Sequence, residues 1–406
     1  MSCAFFFRIL IGITYGYLYS HIKSDLSDTW KFFLHAKDQI GIFQEHPLSF
    51  FTYDIIDHHI YSGSLTKDLF KQDQSFFNDL HDILFIRVVI LFNFLSGNRY
   101  YANVILFNIW TIWGSINMGK WLLNYLPSNK RIIIFFLFLF PSFLFWNCGV
   151  HRDGLAFWVL STILLSTHNL LSKDYSLISI WRSLFLFIQI VFLLVFKIYW
   201  VILLVPFLTL FYFVEKRKLK NSILIFSLFT VGGILFFALS IYFPNSFKLS
   251  EKLAEKQYAF LSEVHGTIKL QLPYLTSSIL SYFAILPSSL RNLILTPSFK
   301  DWFSSVGILA LFGQAFFWSF ILLALVFPKR NWKSIINTPV VVFFLFFSLS
   351  NMLLIGITIP YLSALIRYIV NFQTFILIIL GYIIDWYKIA DLRIFKNINI
   401  NKFAKK

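Results

Sequence analysis

Apolar runs about twenty residues long recur along most of the chain, and this feature restricts its fold more than any other. A helix of about 20 residues crosses the ~30 Å hydrocarbon layer of a bilayer. Hydrophobic residues make up 58% of the 406 residues and charged residues only 13%, which excludes a soluble globular domain of this length. We therefore expect an all-α, polytopic transmembrane helical bundle that forms a single transmembrane domain over 1–406.

The basic residues assign the two sides of this bundle. Placing the basic clusters in the cytoplasm follows the positive-inside rule and puts both termini inside, including a basic cytoplasmic tail at 387–406. The five segments placed inside hold 18 Lys and Arg against three carboxylates, which explains most of the net charge of +16 without nucleic-acid binding. This assignment predicts about ten spans, at roughly 4–22, 100–119, 132–148, 154–168, 183–196, 198–214, 222–243, 303–327, 338–358 and 367–386.

Two large external loops follow from this topology. The first, 23–82, comes after the first span, is acidic and is expected to carry juxtamembrane helices; the second, 244–302, precedes the eighth span. The run "ILFIRVVILFNFLS" at 83–96 is apolar but reaches only about 21 Å as a helix, so we interpret it as interfacial or re-entrant. Cys3 and Cys148 are expected at opposite faces, which argues against a disulfide.

Ionisable residues collect at the predicted external ends of the spans, although they are costly at membrane depth. Arginine binds phosphate in a bidentate way, and a nearby carboxylate can act as general base on a hydroxyl. We therefore single out the following residues as candidates: Asp25 and Asp28 for catalysis, and His151, Arg152, Asp153, Lys197, Arg291, Arg367 and Tyr368 for binding substrate or phosphate.

Each candidate also has a structural interpretation. Asp28 in "SDTW" is placed as a helix N-cap, and His151 as a solvated residue of a turn. Arg152 is also typical of a snorkelling side chain that pairs with Asp153 to close a turn, and Lys197 of a snorkelling side chain at a helix break. Arg367 is also typical of an interfacial anchor beside Tyr368, and Arg291 of an ordinary surface helix.

The motif "DHH" at 57–59 is a weak metal signal. Adjacent histidines on a helix do not converge on one ion, because ligands four residues apart are favoured there. We therefore predict no metal site and no cofactor.

Four stretches in this order resemble the GT-C superfamily of membrane glycosyltransferases, of the bacterial surface-polysaccharide type. They are "SDLSDTWKFFLHAKD", "FNFLSGNRYYANVILFNIWTIWG", "FPSFLFWNCGVHRDGLAFW" and "LSALIRYIVNFQTF". The resemblance implies that Asp28 is the catalytic base or binds the acceptor, with Phe32 or Phe33 and Ala36 in the aromatic and small places and Asp25 as the alternative. Arg152 stands where the family pattern has lysine.

The resemblance implies an inverting glycosyltransferase in the bacterial inner (cytoplasmic) membrane. It would take a sugar from a polyprenyl-phosphate-linked donor and pass it to a surface glycan, lipid-linked saccharide or protein acceptor on the extracytoplasmic side. Its partners would be these two substrates and membrane lipids. A polysaccharide polymerase of the O-antigen or exopolysaccharide type is the first alternative, and a non-enzymatic transporter of lipid-linked oligosaccharides is the second. A transporter should carry ionisable residues near the midplane, whereas here they gather at one predicted face.

Overall fold

The computed structural model describes residues 2–23, 27–45, 76–171, 177–243, 248–262, 268–297, 301–302 and 305–391. Within these ranges the chain is helical, and the only β-pairing is two isolated bridges. The α-helices are α1 Ser2–Lys23, α2 Asp28–Asp38, α3 Ile40–Glu45, α4 Phe76–Ser96, α5 Tyr100–Tyr125, α6 Lys130–Phe138, α7 Pro141–Cys148, α8 Arg152–Leu171, α9 Leu177–Phe196, α10 Ile198–Lys216, α11 Ser222–Leu239, α12 Leu249–Ser262, α13 Ile279–Leu295, α14 Ser305–Val326, α15 Trp332–Ile336, α16 Pro339–Thr358, α17 Leu362–Ile383 and α18 Trp386–Ala390.

Six helices in the described part of the chain are long and apolar enough to cross a membrane, or up to eight if each bent pair counts as one span. The protein is therefore an integral, multi-pass membrane protein with an all-helical fold, and the count of ten spans stays a prediction. The six are Cys3–His21, Arg152–Leu171, Ile198–Lys216, Ser222–Tyr242, Pro339–Thr358 and Leu362–Ile383.

The segment predicted to be interfacial or re-entrant forms most of α4. The axis turns by 115° between Leu80–Ser96 and Tyr100–Tyr125. Gly97 and Asn98 both have left-handed backbone angles, with φ of 64° and 60°, and this pair produces the turn. A bend of this size fits either of the two predicted arrangements, and which of them applies remains a prediction.

The last long helix, α17, lies at the centre of the bundle. In its apolar window 78% of residues are buried, compared with 11% for Ser222–Tyr242, which therefore belongs to the periphery. α17 packs along α16 and α14, and α5 packs along α8. A polar residue near the start of α17 is consequently enclosed by neighbouring helices rather than by lipid.

Helix α2 is fixed in place by aromatic and polar contacts. The Trp30 ring stacks on Tyr100 at 4.1 Å, and its indole N–H donates to the carbonyl of Gly16 at 3.0 Å. Thr29 hydrogen-bonds the Tyr100 hydroxyl at 2.6 Å. On the α4 side, the Phe32 ring meets Phe85 edge-on at 5.0 Å. These contacts lock the first turn of α2 between α1, α4 and α5.

An extended segment clamps the start of α17. The amide of Leu270 donates to the carbonyl of Pro360 at 2.7 Å, and the amide of Leu362 donates to Ile268 at 3.0 Å. Helix α17 therefore begins at Leu362 and not at 367 as expected for the last span. The pairing satisfies the backbone groups that precede the helix. Because the helix begins at Leu362, Arg367 lies in its second turn.

The predicted cytoplasmic segments contact one another away from this clamp. The amide of Lys329 donates to Ile383 at 2.9 Å, and that of Asp385 donates to Phe327 at 2.8 Å. The Asn337 side chain accepts from the amide of Ile223 at 3.1 Å. The ends of α11, α14 and α17 that carry the basic residues thus form one face of the bundle.

Candidate functional site

The triplet His151–Arg152–Asp153 opens helix α8 at a tight connection from α7. The carbonyl of Cys148 accepts a hydrogen bond from Asn108 at 2.8 Å, which holds the end of α7 against α5. A Cβ on Gly149 would collide with the ring of Tyr15, so the chain approaches α1 more closely there than other residues permit. His151 and Asp153 are each only 1% exposed. The structural interpretation of His151 as a solvated residue of a turn is therefore wrong.

Asp153 is the buried anion at the centre of the site. Its Oδ1 lies 2.5 Å from Nζ of Lys197, the residue between the end of α9 and the start of α10. Its Oδ2 lies 2.9 Å from Nδ1 of His151 and 3.5 Å from Nε of Arg367. Lys197 and Asp153 have side chains only 7% and 2% exposed, so each charge depends on the other to offset the loss of water.

Asp28 joins this group from helix α2, whose N-cap is Ser27 and not Asp28. Its Oδ2 accepts hydrogen bonds from Nη1 of Arg367 at 2.8 Å and from Nε2 of His151 at 3.2 Å. A carboxylate in the first turn also interacts favourably with the helix dipole. Asp28 remains 38% exposed, so a second molecule can reach its carboxylate.

The charge state of Asp28 follows from these partners. Burial alone would raise the pKa of this carboxyl, but Arg367 and His151 outweigh burial and hold the pKa well below its usual value. Asp28 is therefore an anion throughout the neutral range.

His151 links the two carboxylates. Its Nδ1 lies 2.9 Å from Oδ2 of Asp153, and its Nε2 lies 3.2 Å from Oδ2 of Asp28. Nη1 of Arg367 lies 3.1 Å from the same Nε2. His151 therefore bridges the two carboxylates directly beside Arg367.

Arg152 makes a separate ion pair with a residue of α4. Its Nη1 lies 2.5 Å from Oδ1 of Asp82 on α4, and its guanidinium lies over the Phe32 ring at 5.1 Å from the centroid. Arg152 therefore does not form the ion pair with Asp153 that its structural interpretation predicted. Asp82 was not among the sequence candidates; an acidic residue in "HDILFIRVV", directly before an apolar run, is the signal that could have found it.

Tyr368 completes the cationic side. Nζ of Lys197 lies 4.0 Å from its ring centroid, and the Arg367 guanidinium lies 5.1 Å from it. Nη2 of Arg367 also donates to the Tyr368 hydroxyl at 3.4 Å. The ring therefore stabilises two neighbouring cations that would otherwise repel each other.

The remaining candidates lie elsewhere. Arg291 is exposed on α13 and makes none of the ion pairs of this group. Asp25 and the 57–59 motif lie outside the described residues, and the described residues contain no group of three or more His, Cys, Asp or Glu that could hold a metal. Sequence reasoning also missed the buried Arg8 of α1, which donates to the hydroxyls of Ser115 at 3.1 Å and Thr111 at 3.2 Å.

We call the seven residues that the structure brings together the charged cluster: Asp28, Asp82, His151, Arg152, Asp153, Lys197 and Arg367. They come from five places in the chain and meet where helices α2, α8, α10 and α17 begin.

No family model, no curated protein and no solved structure matches this chain. The chemistry of the charged cluster therefore carries the functional argument.

The cluster has the parts needed to bind a phosphate and to activate a hydroxyl. Arg152 and Arg367 provide planar donors suited to phosphate oxygens, and Lys197 provides a point charge. Asp28 is an accessible carboxylate directly beside them. Such an arrangement can hold an anionic leaving group and accept a proton within one site.

Proposed function

We propose that this protein is a membrane glycosyltransferase that uses a polyprenyl-phosphate-linked sugar as donor, on the extracytoplasmic side, and that the charged cluster is its active site. One observation carries the proposal. Asp28, the residue assigned as base from its sequence context, hydrogen-bonds Arg367, which is 339 positions away and was assigned to phosphate. If the two residues served only in a surface turn and as an isolated helix anchor, there would be no reason for their side chains to contact each other.

The reaction would proceed by one displacement at the anomeric carbon. The acceptor oxygen forms the new bond to this carbon while the bond to the phosphate oxygen of the donor breaks, which inverts the configuration. Asp28 takes the proton of the acceptor hydroxyl, and the polyprenyl phosphate leaves as an anion. A carboxylate with a depressed pKa is a weak base, so the proton moves late, when the hydroxyl has become acidic through bond formation.

The cations would stabilise the leaving group. Charge develops on the phosphate as the sugar departs, and fixed donors in a partly dry site stabilise such charge better than water does. Arg367 is 16% exposed and Arg152 likewise 16%, so both can reach a ligand while their stems stay enclosed. The buried pair of Asp153 and Lys197 would hold the side chains of Arg367 and His151 in position through the contacts of Asp153 with both.

The test is a transfer assay in proteoliposomes that contain the purified protein, polyprenyl-phosphate-linked sugars and a lipid-linked saccharide acceptor. Mass spectrometry of the lipid products should show the acceptor lengthened by a single sugar, and NMR of the anomeric proton should show the inverted configuration. Asp28→Asn should lower the rate by about 10²- to 10⁴-fold, the usual contribution of a general base. Arg291→Gln is the matched control, because Arg291 is an exposed arginine outside the cluster, and it should leave the rate unchanged.

Two results would overturn the proposal. Transfer at the wild-type rate by Asp28→Asn would remove Asp28 from the chemistry. Transfer of a whole glycan from one lipid carrier to another, with no single-sugar product, would identify a polymerase instead.

A further inference from the structure

The charged cluster is electrically balanced, and this raises a problem for ligand binding. Among the described residues it has three permanent cations, Arg152, Lys197 and Arg367, and three carboxylates, Asp28, Asp82 and Asp153. A phosphate that entered this arrangement would add uncompensated negative charge to a partly buried site, which is unfavourable. Either a carboxylate moves away when the phosphate arrives, or the phosphate does not bind.

Asp153 and Asp28 are poorly suited to move. Asp153 is 2% exposed and lies between Lys197, His151 and Arg367, so its departure would leave a buried lysine without a partner. Asp28 is held on one oxygen by both Arg367 and His151, and it belongs to the locked first turn of α2.

Asp82 is held by fewer partners than either of them. Its side chain is 41% exposed, similar to Asp28 at 38% and far above Asp153 at 2%. Within the charged cluster, Asp82 forms its ion pair with Arg152. His81, at 3.5 Å, directly precedes Asp82 on α4 and moves with it. Lys31, exposed on α2, is close enough to interact electrostatically with Asp82 and could receive its carboxylate after displacement.

We propose that Asp82 occupies on Arg152 the place of a substrate phosphate, and that a phosphate-bearing polyprenyl lipid binds by displacing it. This inference rests on the proposed function and specifies where the lipid phosphate binds and what keeps that place closed beforehand. Displacement leaves two carboxylates against three cations, and the phosphate restores the balance. A phosphate also matches the two parallel N–H donors of the guanidinium better than a single carboxylate oxygen does.

Phe32 makes Arg152 a fixed receptor in this scheme. The guanidinium lies over the buried Phe32 ring, which is 4% exposed, and this contact does not depend on Asp82. When the carboxylate leaves, the arginine therefore keeps its place and presents its edge to the new anion. Because the Arg152 side chain is already ordered before the ligand binds, binding does not have to offset the entropy of ordering it, and this favours affinity.

Binding of polyprenyl phosphate to the full-length protein in detergent provides the test, with the uncharged polyprenol as reference ligand. Removing the competing carboxylate should raise the fraction of protein that is open to the lipid. We expect Asp82→Asn and Asp82→Ala to bind polyprenyl phosphate about three- to tenfold more tightly than wild type, with polyprenol binding unchanged. Asp385→Asn, which removes another carboxylate paired with a lysine, is the control and should behave as wild type.

A double-mutant cycle identifies the receptor. Arg152→Gln should weaken binding of polyprenyl phosphate, and adding Asp82→Asn to it should then bring no gain, because the two residues act on the same step. Thermal unfolding of each variant verifies that it is folded.

The outcomes separate this inference from the function on which it rests. If the wild type prefers polyprenyl phosphate to polyprenol but Asp82→Asn and Asp82→Ala bind it no more tightly, the displacement is wrong and the proposed function stands. If neither the wild type nor the Asp82 variants distinguish the phosphate from the alcohol, the phosphate-lipid function fails as well. If only the Asp82 variants bind the phosphate, the displacement is supported in its strongest form.

Discussion

At the scale of single residues, the site depends on charges that cannot be removed one at a time. Asp153 and Lys197 are both nearly inaccessible and 2.5 Å apart. Breaking a buried pair by removing one partner typically costs ~3–5 kcal/mol, because the remaining charge stays buried without compensation. Exposed pairs such as Lys252 with Glu255 contribute at most about 1 kcal/mol, since water screens them.

Asp153→Asn should therefore lower the free energy of unfolding by about 3–5 kcal/mol, and Glu255→Gln by at most about 1 kcal/mol. The measurement is unfolding of the purified protein in detergent for the two variants and the wild type. Equal losses in both would show that the charged cluster does not stabilise the fold.

The pH dependence of Asp28 has a definite sign. A carboxyl whose pKa is lower in the folded state contributes stability that is complete above its unfolded value, ~3.9, and is lost as the pH falls through the lower folded value. The difference in melting temperature between wild type and Asp28→Asn should therefore not shrink between about pH 8 and pH 5. A difference that disappears within this range would mean that the Arg367 contact does not hold Asp28 ionised.

At the scale of helices, the site depends on the exact start of α8. Gly154 follows the triplet directly, and a Cβ there would lie 2.6 Å from the carbonyl oxygen of Asn147 and 2.9 Å from the Phe107 ring. The backbone carbonyl cannot move without shifting α7. The start of α8, with Asp153 and the preceding His151, would have to shift instead.

Gly154→Ala should cost about 1–3 kcal/mol of stability through overpacking and should also reduce transfer. Gly233→Ala is the matched control, because nothing lies within 4 Å of a Cβ built at Gly233 on α11. Unfolding and turnover are measured for both variants. Wild-type stability of Gly154→Ala would contradict the close packing of α7 against α8.

At the scale of the whole molecule, the charged cluster and the basic segments lie at different faces of the bundle. The positive-inside rule then predicts that the cluster lies outside the cytoplasm. The prediction is tested with single cysteines in a background in which Cys3 and Cys148 are replaced. Lys31→Cys and Tyr258→Cys should react with an impermeant thiol reagent in intact cells, and Lys218→Cys and Lys333→Cys only after permeabilisation. Reaction of the variants at 31 and 218 from the same side would refute the topology.

The positions of most helices and the unusual polar residues are both readable from the amino-acid sequence. Apolar runs such as 198–214 and 338–358 correspond to Ile198–Lys216 and Pro339–Thr358, because length and hydropathy are local properties that decide whether a segment can cross a bilayer. The cost of a charge between apolar flanks marked Lys197 without knowledge of its partner, and the resemblance to membrane glycosyltransferases marked Asp28, Arg152 and Arg367. An interfacial or re-entrant helix at 83–96 implies a turn before the next span, but the sequence does not give its angle of 115°, since a left-handed pair at Gly97 and Asn98 is one of several conformations open to such residues.

Which charges pair with each other depends on how the helices pack. Asp28 pairs with Arg367, Arg152 pairs with Asp82 rather than with the adjacent Asp153, and Asp153 pairs with Lys197. Each partner depends on how neighbouring helices are rotated and how far they slide along one another, and side-chain packing over the whole bundle sets both quantities. No local sequence pattern specifies these two quantities. The pairing of Asp82 with Arg152 therefore follows only from the packing of α4 beside α8.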